Sequence, residues 1–336
     1  MRDDVPVTHA TGMGSWPGTD PREAIVTIRD LMLGDGPADH LAYLPETPDR
    51  GPGADLIGRG AGLLTEMPVE LHPSGWRLTG RPGRDAERTA SLWRQDLDEL
   101  AEAYEGYAGP LTIAVAGPWT LASSIELPGG ERAIVDPGAA REVAESLADG
   151  IASLVSRLTR LIPGVEVVLQ LDEPSLPAVL AGTIPTASGY SRHRRVDGQV
   201  ALTGLQTTLA GYAGPSLIHC CHPDAPIPLL RQAGAGGLAL DLTEASAARW
   251  ESVALILEEG QQIYAGLLRT DGTTSVAEAA RSVVEQAERV GIERALLDGL
   301  IVSPACGLAG RTLDSALATQ RAAIALAGEV AELLDR

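Results

Sequence analysis

Lysine, asparagine and phenylalanine are missing altogether from this chain, and cysteine is nearly so, with three in 336 residues. Without lysine there is no Schiff-base chemistry of the aldolase or pyridoxal kind. Three cysteines, two of them adjacent, do not make the disulfide framework of a small secreted domain. A reducing cytoplasm is the simplest compartment for them. Basic charge is also scarce: 26 arginines stand against 45 acidic residues, a formal net charge of −19. That balance argues against nucleic acid or an anionic membrane surface as the main partner. No window reaches the roughly 18 uninterrupted apolar residues of a membrane span. Met1–Pro6 lacks the basic start and apolar core of a secretory signal. What the chain does have is bulk, 44% hydrophobic over its length, enough for one large barrel or two modest domains.

Apolar runs bounded by turn residues alternate with helical patterns. Strands are predicted at Thr8–Gly14, His40–Leu44, Leu111–Val115, Val165–Leu171, Ser216–His219, Gly237–Leu240, Gln262–Leu267 and Leu300–Ser303. Amphipathic helices fall between them at Pro21–Leu33, Asp55–Leu64, Ala86–Glu105, Gly138–Leu161, Val200–Tyr212, Ala225–Ala233, Ser246–Glu259 and Ser275–Val290, and Leu313–Leu334 follows the last strand. Strands such as Val165–Leu171 are β-branched and almost continuously apolar, as strands covered on both faces are. Eight alternations without a linker predict a single α/β domain over residues 1–336, a (β/α)8 TIM barrel. Leu63–Thr79, with Ser74-Gly75 at its middle, reads as an inserted β-hairpin.

The chemistry-bearing residues fall at one kind of place. Ser15, Glu46, Asp172, His219, Cys221, Asp241 and Cys306 each sit at or just past the carboxyl end of a predicted strand, where barrel active sites form. In Leu217-Ile218-His219-Cys220-Cys221-His222 a period of two puts His219 and Cys221 on one face and Cys220 on the other. With Cys306 they make one nitrogen and two sulfurs, the set of a zinc site that still needs a fourth group. Asp241, ending the next strand, can supply it. Glu244 is a competitor that reads better as an N-terminal helix carboxylate, and His222 is an alternative to His219. Without this convergence, three separated cysteines read equally well as small buried hydrophobes. A zinc with two thiolate ligands is a weak Lewis acid for making hydroxide but a good holder of an ionised thiol, since coordination deprotonates a thiol of ordinary pKa about 8.5. The site therefore points to alkyl transfer to sulfur. Gln170-Leu171-Asp172-Glu173 offers a carboxylate for a substrate ammonium group. Gly14-Ser15 offers N–H groups and a hydroxyl for a carboxylate, and Gly117-Pro118-Trp119-Thr120 is expected to line the same mouth.

Taken in order, these segments resemble the cobalamin-independent methionine synthase family, in its C-terminal catalytic barrel within the uroporphyrinogen decarboxylase-like superfamily. Gly14-Ser15-Trp16-Pro17 is similar to the family's GSFP turn and Gly117-Pro118-Trp119-Thr120 to its GPVT segment. Gln170–Leu176 is similar to QxDEPAL, His219-Cys220-Cys221 to the HxC pair, and Pro304–Leu308 to PDCGL. Glu46 falls where the family has a glutamate after its second strand. The resemblance implies a zinc-dependent methyltransferase that converts homocysteine to methionine, with His219, Cys221 and Cys306 as zinc ligands and Ser15, Glu46 and Asp172 holding the amino-acid end of the substrate. The family's fourth ligand is glutamate, whereas Asp241 stands here.

Two departures bear on the methyl donor. Gln262–Arg269 has no counterpart of the family's histidine after a Tyr-Asp pair, and Ser123-Ser124 replaces the tryptophan that stacks on the pterin. An N5-methyl amine leaves poorly without a proton, so methyltetrahydrofolate is disfavoured. A methylcorrinoid protein, the donor thought to serve the shorter single-barrel relatives, needs no such acid. Two alternatives stay open: a methyltransferase for another thiol, or a non-catalytic zinc or amino-acid binding protein on the same scaffold.

Overall fold

The computed structural model describes residues 9–34, 40–297 and 299–335. Thr8, where the first strand is expected to begin, and Met1–Pro6 lie outside them. The strands are β1 (His9–Ala10), β2 (Ala42–Tyr43), β3 (Val69–His72), β4 (Gly75–Leu78), β5 (Pro110–Ala116), β6 (Glu166–Asp172), β7 (Ser216–Cys220), β8 (Gly237–Asp241), β9 (Gln262–Leu268) and β10 (Leu300–Pro304). The first helices are α1 (Pro21–Met32), α2 (Leu56–Ala61), α3 (Arg84–Ala103), α4 (Pro118–Ser124), α5 (Pro137–Leu161) and α6 (Leu176–Ala181). Those that follow are α7 (Gly198–Leu209), α8 (Ile227–Gln232), α9 (Ala247–Glu258), α10 (Val276–Val290), α11 (Arg294–Leu297) and α12 (Leu313–Leu334). Among the described residues no helix is long and apolar enough to cross a membrane.

Eight of the strands form one parallel sheet in the order β1-β10-β9-β8-β7-β6-β5-β2. Its two ends are tied to each other. Leu41 N–H donates to the Ala10 carbonyl at 2.9 Å, Glu46 N–H to Gly14 at 3.1 Å and Trp16 N–H to Glu46 at 2.7 Å. Ser15 and Glu46 thus form an isolated parallel bridge, and the sheet curls round into the (β/α)8 form. The expected hairpin is present as β3 paired antiparallel with β4, Val69 opposite Leu78 and His72 opposite Gly75.

Alternation along the strands sorts side chains into two apolar layers. Met13, Val168, Leu217, Ala239, Tyr264 and Ile301 make a small cluster inside the barrel. Their neighbours Val167, Leu169, Ile218, Cys220, Leu238, Leu240, Ile263 and Val302 belong to the large cluster between sheet and helices. Burial of one such aliphatic side chain is worth roughly 1.5–3 kcal/mol, so the inner plug is a firm floor. Two and four residues further along the same chain segments, the inward positions become Gln170, Asp172, His219, Cys221 and Asp241. The apolar floor and the polar site are one face read at successive heights.

Helix α5 lies so close to the segment after α2 that a Cβ on Gly150 would come within 1.9 Å of the Leu63 carbonyl oxygen. Gly328, on the exposed face of α12, has nothing within 4 Å of that position. Gly150→Ala is therefore expected to destabilise by about 1–3 kcal/mol despite alanine's better helix propensity. Gly328→Ala should instead stabilise by about 0.5–1 kcal/mol. Urea denaturation of the two variants checks both signs.

Candidate metal centre

Parallel pairing sets Asp172 at the end of β6 beside His219 near the end of β7. The His219 ring Nδ1 lies 2.8 Å from Asp172 Oδ1, and Gln170 Nε2 donates to the same oxygen at 2.8 Å. With Nδ1 so occupied, Nε2 is left buried and without a partner. A buried polar atom left unpaired is costly unless something binds it. Burial alone would lower the imidazole pKa, but Asp172 and then Cys306 raise it above its ordinary value.

His219, Cys221 and Cys306 bring their ligand atoms within 4.8 Å of one another. The two sulfurs are 3.2 Å apart, with the Cys221 thiol directed at Cys306. That hydrogen bond draws the Cys306 pKa down to about 6, against burial, and holds Cys221 far above its ordinary value. The β10–β9 register shifts between Ser303 and Pro304, just before the loop that carries Cys306. Cys220, one residue from Cys221, is fully buried on the outward face in the large apolar cluster. One imidazole nitrogen held in place by a carboxylate and two thiol sulfurs form a donor set that fits a soft divalent ion.

Asp241 lies outside this group of three. Its Oδ1 accepts from Thr243 N–H at 2.9 Å and from the Thr243 hydroxyl at 2.7 Å. It does line, with Cys221 and Cys306, a cavity of about 460 Å³ that opens beside the sulfurs. Glu244 pairs with Arg269 on the surface. His222 is half-exposed, and its Nδ1 accepts from Asp224 N–H at 3.0 Å, which leaves His219 as the inward histidine.

A second cavity, of about 250 Å³, is lined by Ser15, Glu46, Asp172, His219, Cys221 and Cys306 among others. Ser15 reaches it because residue 307 is glycine: a Cβ there would lie 1.9 Å from Ser15 Oγ. Glu46 is buried, and burial pushes its pKa up to about 7, with Arg59 opposing and Asp172 and Asp96 adding to the rise. Arg59 Nε stands 3.1 Å from Glu46 Oε1, yet neither atom has an aligned hydrogen-bond partner, so the contact is electrostatic. Arg59 also pairs with Asp96, which takes Arg50 at 2.7 Å, and its guanidinium lies 3.5 Å above the Trp93 ring. This buried network beneath Glu46 was not foreseen. Asp96 sits in a charged helix and Arg59 in the short glycine-rich α2, and the packing of α2 on α3 buries both.

Gly117–Thr120 does not line this cavity. The N–H groups of Trp119 and Thr120 each donate to Glu173 at 2.9 Å, and the Thr120 hydroxyl donates to it at 2.8 Å. Burial nevertheless raises the Glu173 pKa to about 7. The segment thereby braces the loop that carries Asp172.

Residues 109–329 match the family described as cobalamin-independent synthase, catalytic domain. The chain belongs to that family. The matched span includes Asp172, His219, Cys221, Asp241 and Cys306; Ser15 and Glu46 lie before it. Among solved structures, this synthase domain is similar to a B12-independent methionine synthase from Shewanella sp. W3-18-1 in complex with selenomethionine, at 12% identity and TM-score 0.62 over 98% of both chains. It is also similar to a methyltransferase from Methanosarcina mazei, at 14% identity and TM-score 0.57 over 97% of this chain and 94% of that one. At such identities the likeness speaks for the fold. No curated protein matches the chain in sequence.

Metal content separates the cysteines. Cys221→Ser and Cys306→Ser are expected to lose stoichiometric zinc after dialysis, while Cys220→Ala retains it. Elemental analysis checks this, and equal loss from Cys220→Ala would show that the inward face has been misassigned.

Proposed function

We propose that this synthase domain transfers a methyl group to the thiol of homocysteine, giving methionine, with zinc held by His219, Cys221 and Cys306. The observation that carries the reading is the small cavity in which the ligand triad meets Ser15, Glu46 and Asp172. It sets thiol-handling and amino-acid-handling groups within one substrate's length of each other. Zinc in that donor set supplies a means of keeping a substrate thiol ionised at neutral pH.

The protein's own groups do the rest. Glu46 and Asp172 present buried carboxylate oxygens to the substrate ammonium, and charge-assisted pairs of this kind are the stronger class of hydrogen bond. Ser15 offers its hydroxyl and its own backbone N–H to the substrate carboxylate. Held at both ends, the amino acid directs its sulfur towards Cys221 and Cys306, and the fixed orientation lowers the entropy cost of transfer. A carbon–sulfur bond then forms as the methyl group's bond to its carrier breaks, the carrier keeping the electron pair. The selenomethionine of the Shewanella protein is an amino acid of the kind this cavity is shaped to take. Asp241 stays the candidate fourth ligand, and ligation through Oδ1 would require release from Thr243.

The donor reading follows from the end of β9. Arg269 there is paired with Glu244 at 2.6 Å and with Asp271 at 3.4 Å, and no histidine stands between Gln262 and Thr274. No imidazole in that segment offers a proton to a leaving amine, which favours a methylcorrinoid over methyltetrahydrofolate. Zinc-loaded protein is expected to methylate homocysteine from methylcobalamin and to stop when zinc is chelated. Stoichiometric zinc with no transfer from either donor would leave only a binding protein.

The state of Glu46 predicts a pH dependence. Its folded pKa is raised to about 7, so it is largely protonated below that value and attracts an ammonium group only above it. Methionine affinity is therefore expected to rise as pH increases through about 7, and Glu46→Gln should flatten the profile and weaken binding at high pH by roughly tenfold. Calorimetric titration one unit either side of that value checks it. A flat wild-type profile would contradict the role given to Glu46.

A further inference from the structure

A cavity larger than the two that meet at the sulfurs lies elsewhere in the molecule. About 860 Å³ in volume, it lies between the N-terminal halves of α5 and α7 and is closed on one side by the segment Arg192-His193-Arg194-Arg195. Its size falls within the roughly 300–1,000 Å³ of small-molecule sites.

Two independent features mark it. The first is charge. Arg141, Arg192, Arg194, Arg195 and His193 line it, against the single carboxylate of Asp197. His193 faces Glu131 at 3.5 Å, and Arg141 faces Glu145 at 3.7 Å on the open surface. Arg192, Arg194 and Arg195 have no carboxylate partner among the described residues. In a chain of net charge −19, three neighbouring unpaired arginines are conspicuous, since acidic partners are plentiful elsewhere. The second is apolar surface left open. Val135 and Val200, 44% and 51% exposed, are both on the cavity wall, and Tyr190, 97% exposed, stands at the tip of the adjoining hairpin. Together they are half of the large hydrophobic residues exposed among those described.

The basic segment is held in place. His193 N–H donates to Ile184 at 2.8 Å and Val196 N–H to Val179 at 3.2 Å, and Pro185 bridges Arg192. The inner wall is Trp119, whose indole N–H donates to the Ala201 carbonyl at 2.8 Å and whose ring abuts Gly204. The backbone N–H of the same Trp119 supports Glu173, beside Asp172.

We propose that this cavity binds a small organic anion: a flat apolar body against Trp119, Val135 and Val200, with a carboxylate, sulfonate or phosphate group held by Arg192, Arg194 and Arg195. The apolar walls give affinity and the arginines select charge. The site is separate from the metal centre, and it stands or falls independently of the methyl-transfer reading.

The test compares two dyes on the intact protein. 8-Anilinonaphthalene-1-sulfonate carries the anion, and N-phenyl-1-naphthylamine has the same ring system without it. Wild-type protein is expected to bind the sulfonate at least about tenfold more tightly than the neutral dye, with affinity falling as salt rises. The triple variant Arg192→Ala/Arg194→Ala/Arg195→Ala, all exposed positions, should lose about tenfold or more for the sulfonate and little for the neutral dye. Val200→Glu, which places a carboxylate in the wall, should do the same. Circular dichroism shows whether each variant is folded. Displacement by adenosine monophosphate or by phenylsuccinate then tells a phosphate from a carboxylate head group. Equal affinity for the two dyes, or an unchanged sulfonate affinity in folded variants, overturns the proposal.

Discussion

The hydrogen bond between Asp172 Oδ1 and His219 Nδ1, 2.8 Å long and buried, is the contact on which the rest of the site depends. An imidazole has two nitrogens and can turn. Fixing one by a carboxylate settles the tautomer and aims the other. Here the free atom is Nε2, in a ring whose ligand atom lies within 4.8 Å of the Cys221 and Cys306 sulfurs. The carboxylate is itself fixed by Gln170, and its chain by the bracing of Glu173 at α4. Glu46 and Asp172 are thus buried in one cavity, with Glu173 buried behind Asp172 against α4, and both glutamates respond with pKa values pushed to about 7. A core built for stability alone would avoid this, because unpaired buried charge is expensive. Arg59, wedged between Glu46 and Asp96 and covered by Trp93, offsets part of that cost. The ammonium group of an amino acid would offset more.

The barrel was legible because its signal is local. Each strand of a sheet covered on both faces is a short apolar run, and β5 to β10 lie within one or two residues of the predicted bounds. The weakest expectation was Thr8–Gly14, where among the described residues only His9–Ala10 pairs as a strand, since Gly12 and Gly14 carry the chain into the turn that presents Ser15. Helices α4 and α6 were invisible for a physical reason. Each is short, carries a proline in its first two positions and is buried on several sides, so no amphipathic stripe marks it.

Period-two alternation read the inward and outward cysteines from the sequence. It could not read Asp172 as the partner of His219, because that pairing is a matter of register between strands 47 positions apart. Nor could it read Thr243 as the partner of Asp241, which depends on how the loop after β8 folds back. Arg50, Arg59 and Asp96 were missed for a similar reason. Whether a charged side chain is buried is settled by the packing of one helix on another, and nothing in the local pattern announces it.

The role of Asp172 can be measured without any turnover. Competition with a chromophoric chelator gives the zinc affinity of wild-type protein and of Asp172→Ala, whose own ligand atoms are untouched. A carboxylate that holds His219 in its ligating orientation predicts a loss of about 10–100-fold, with Gln170→Ala showing a smaller loss in the same direction. An Asp172→Ala protein that folds and binds zinc as tightly as wild type would contradict the claim that this hydrogen bond organises the centre.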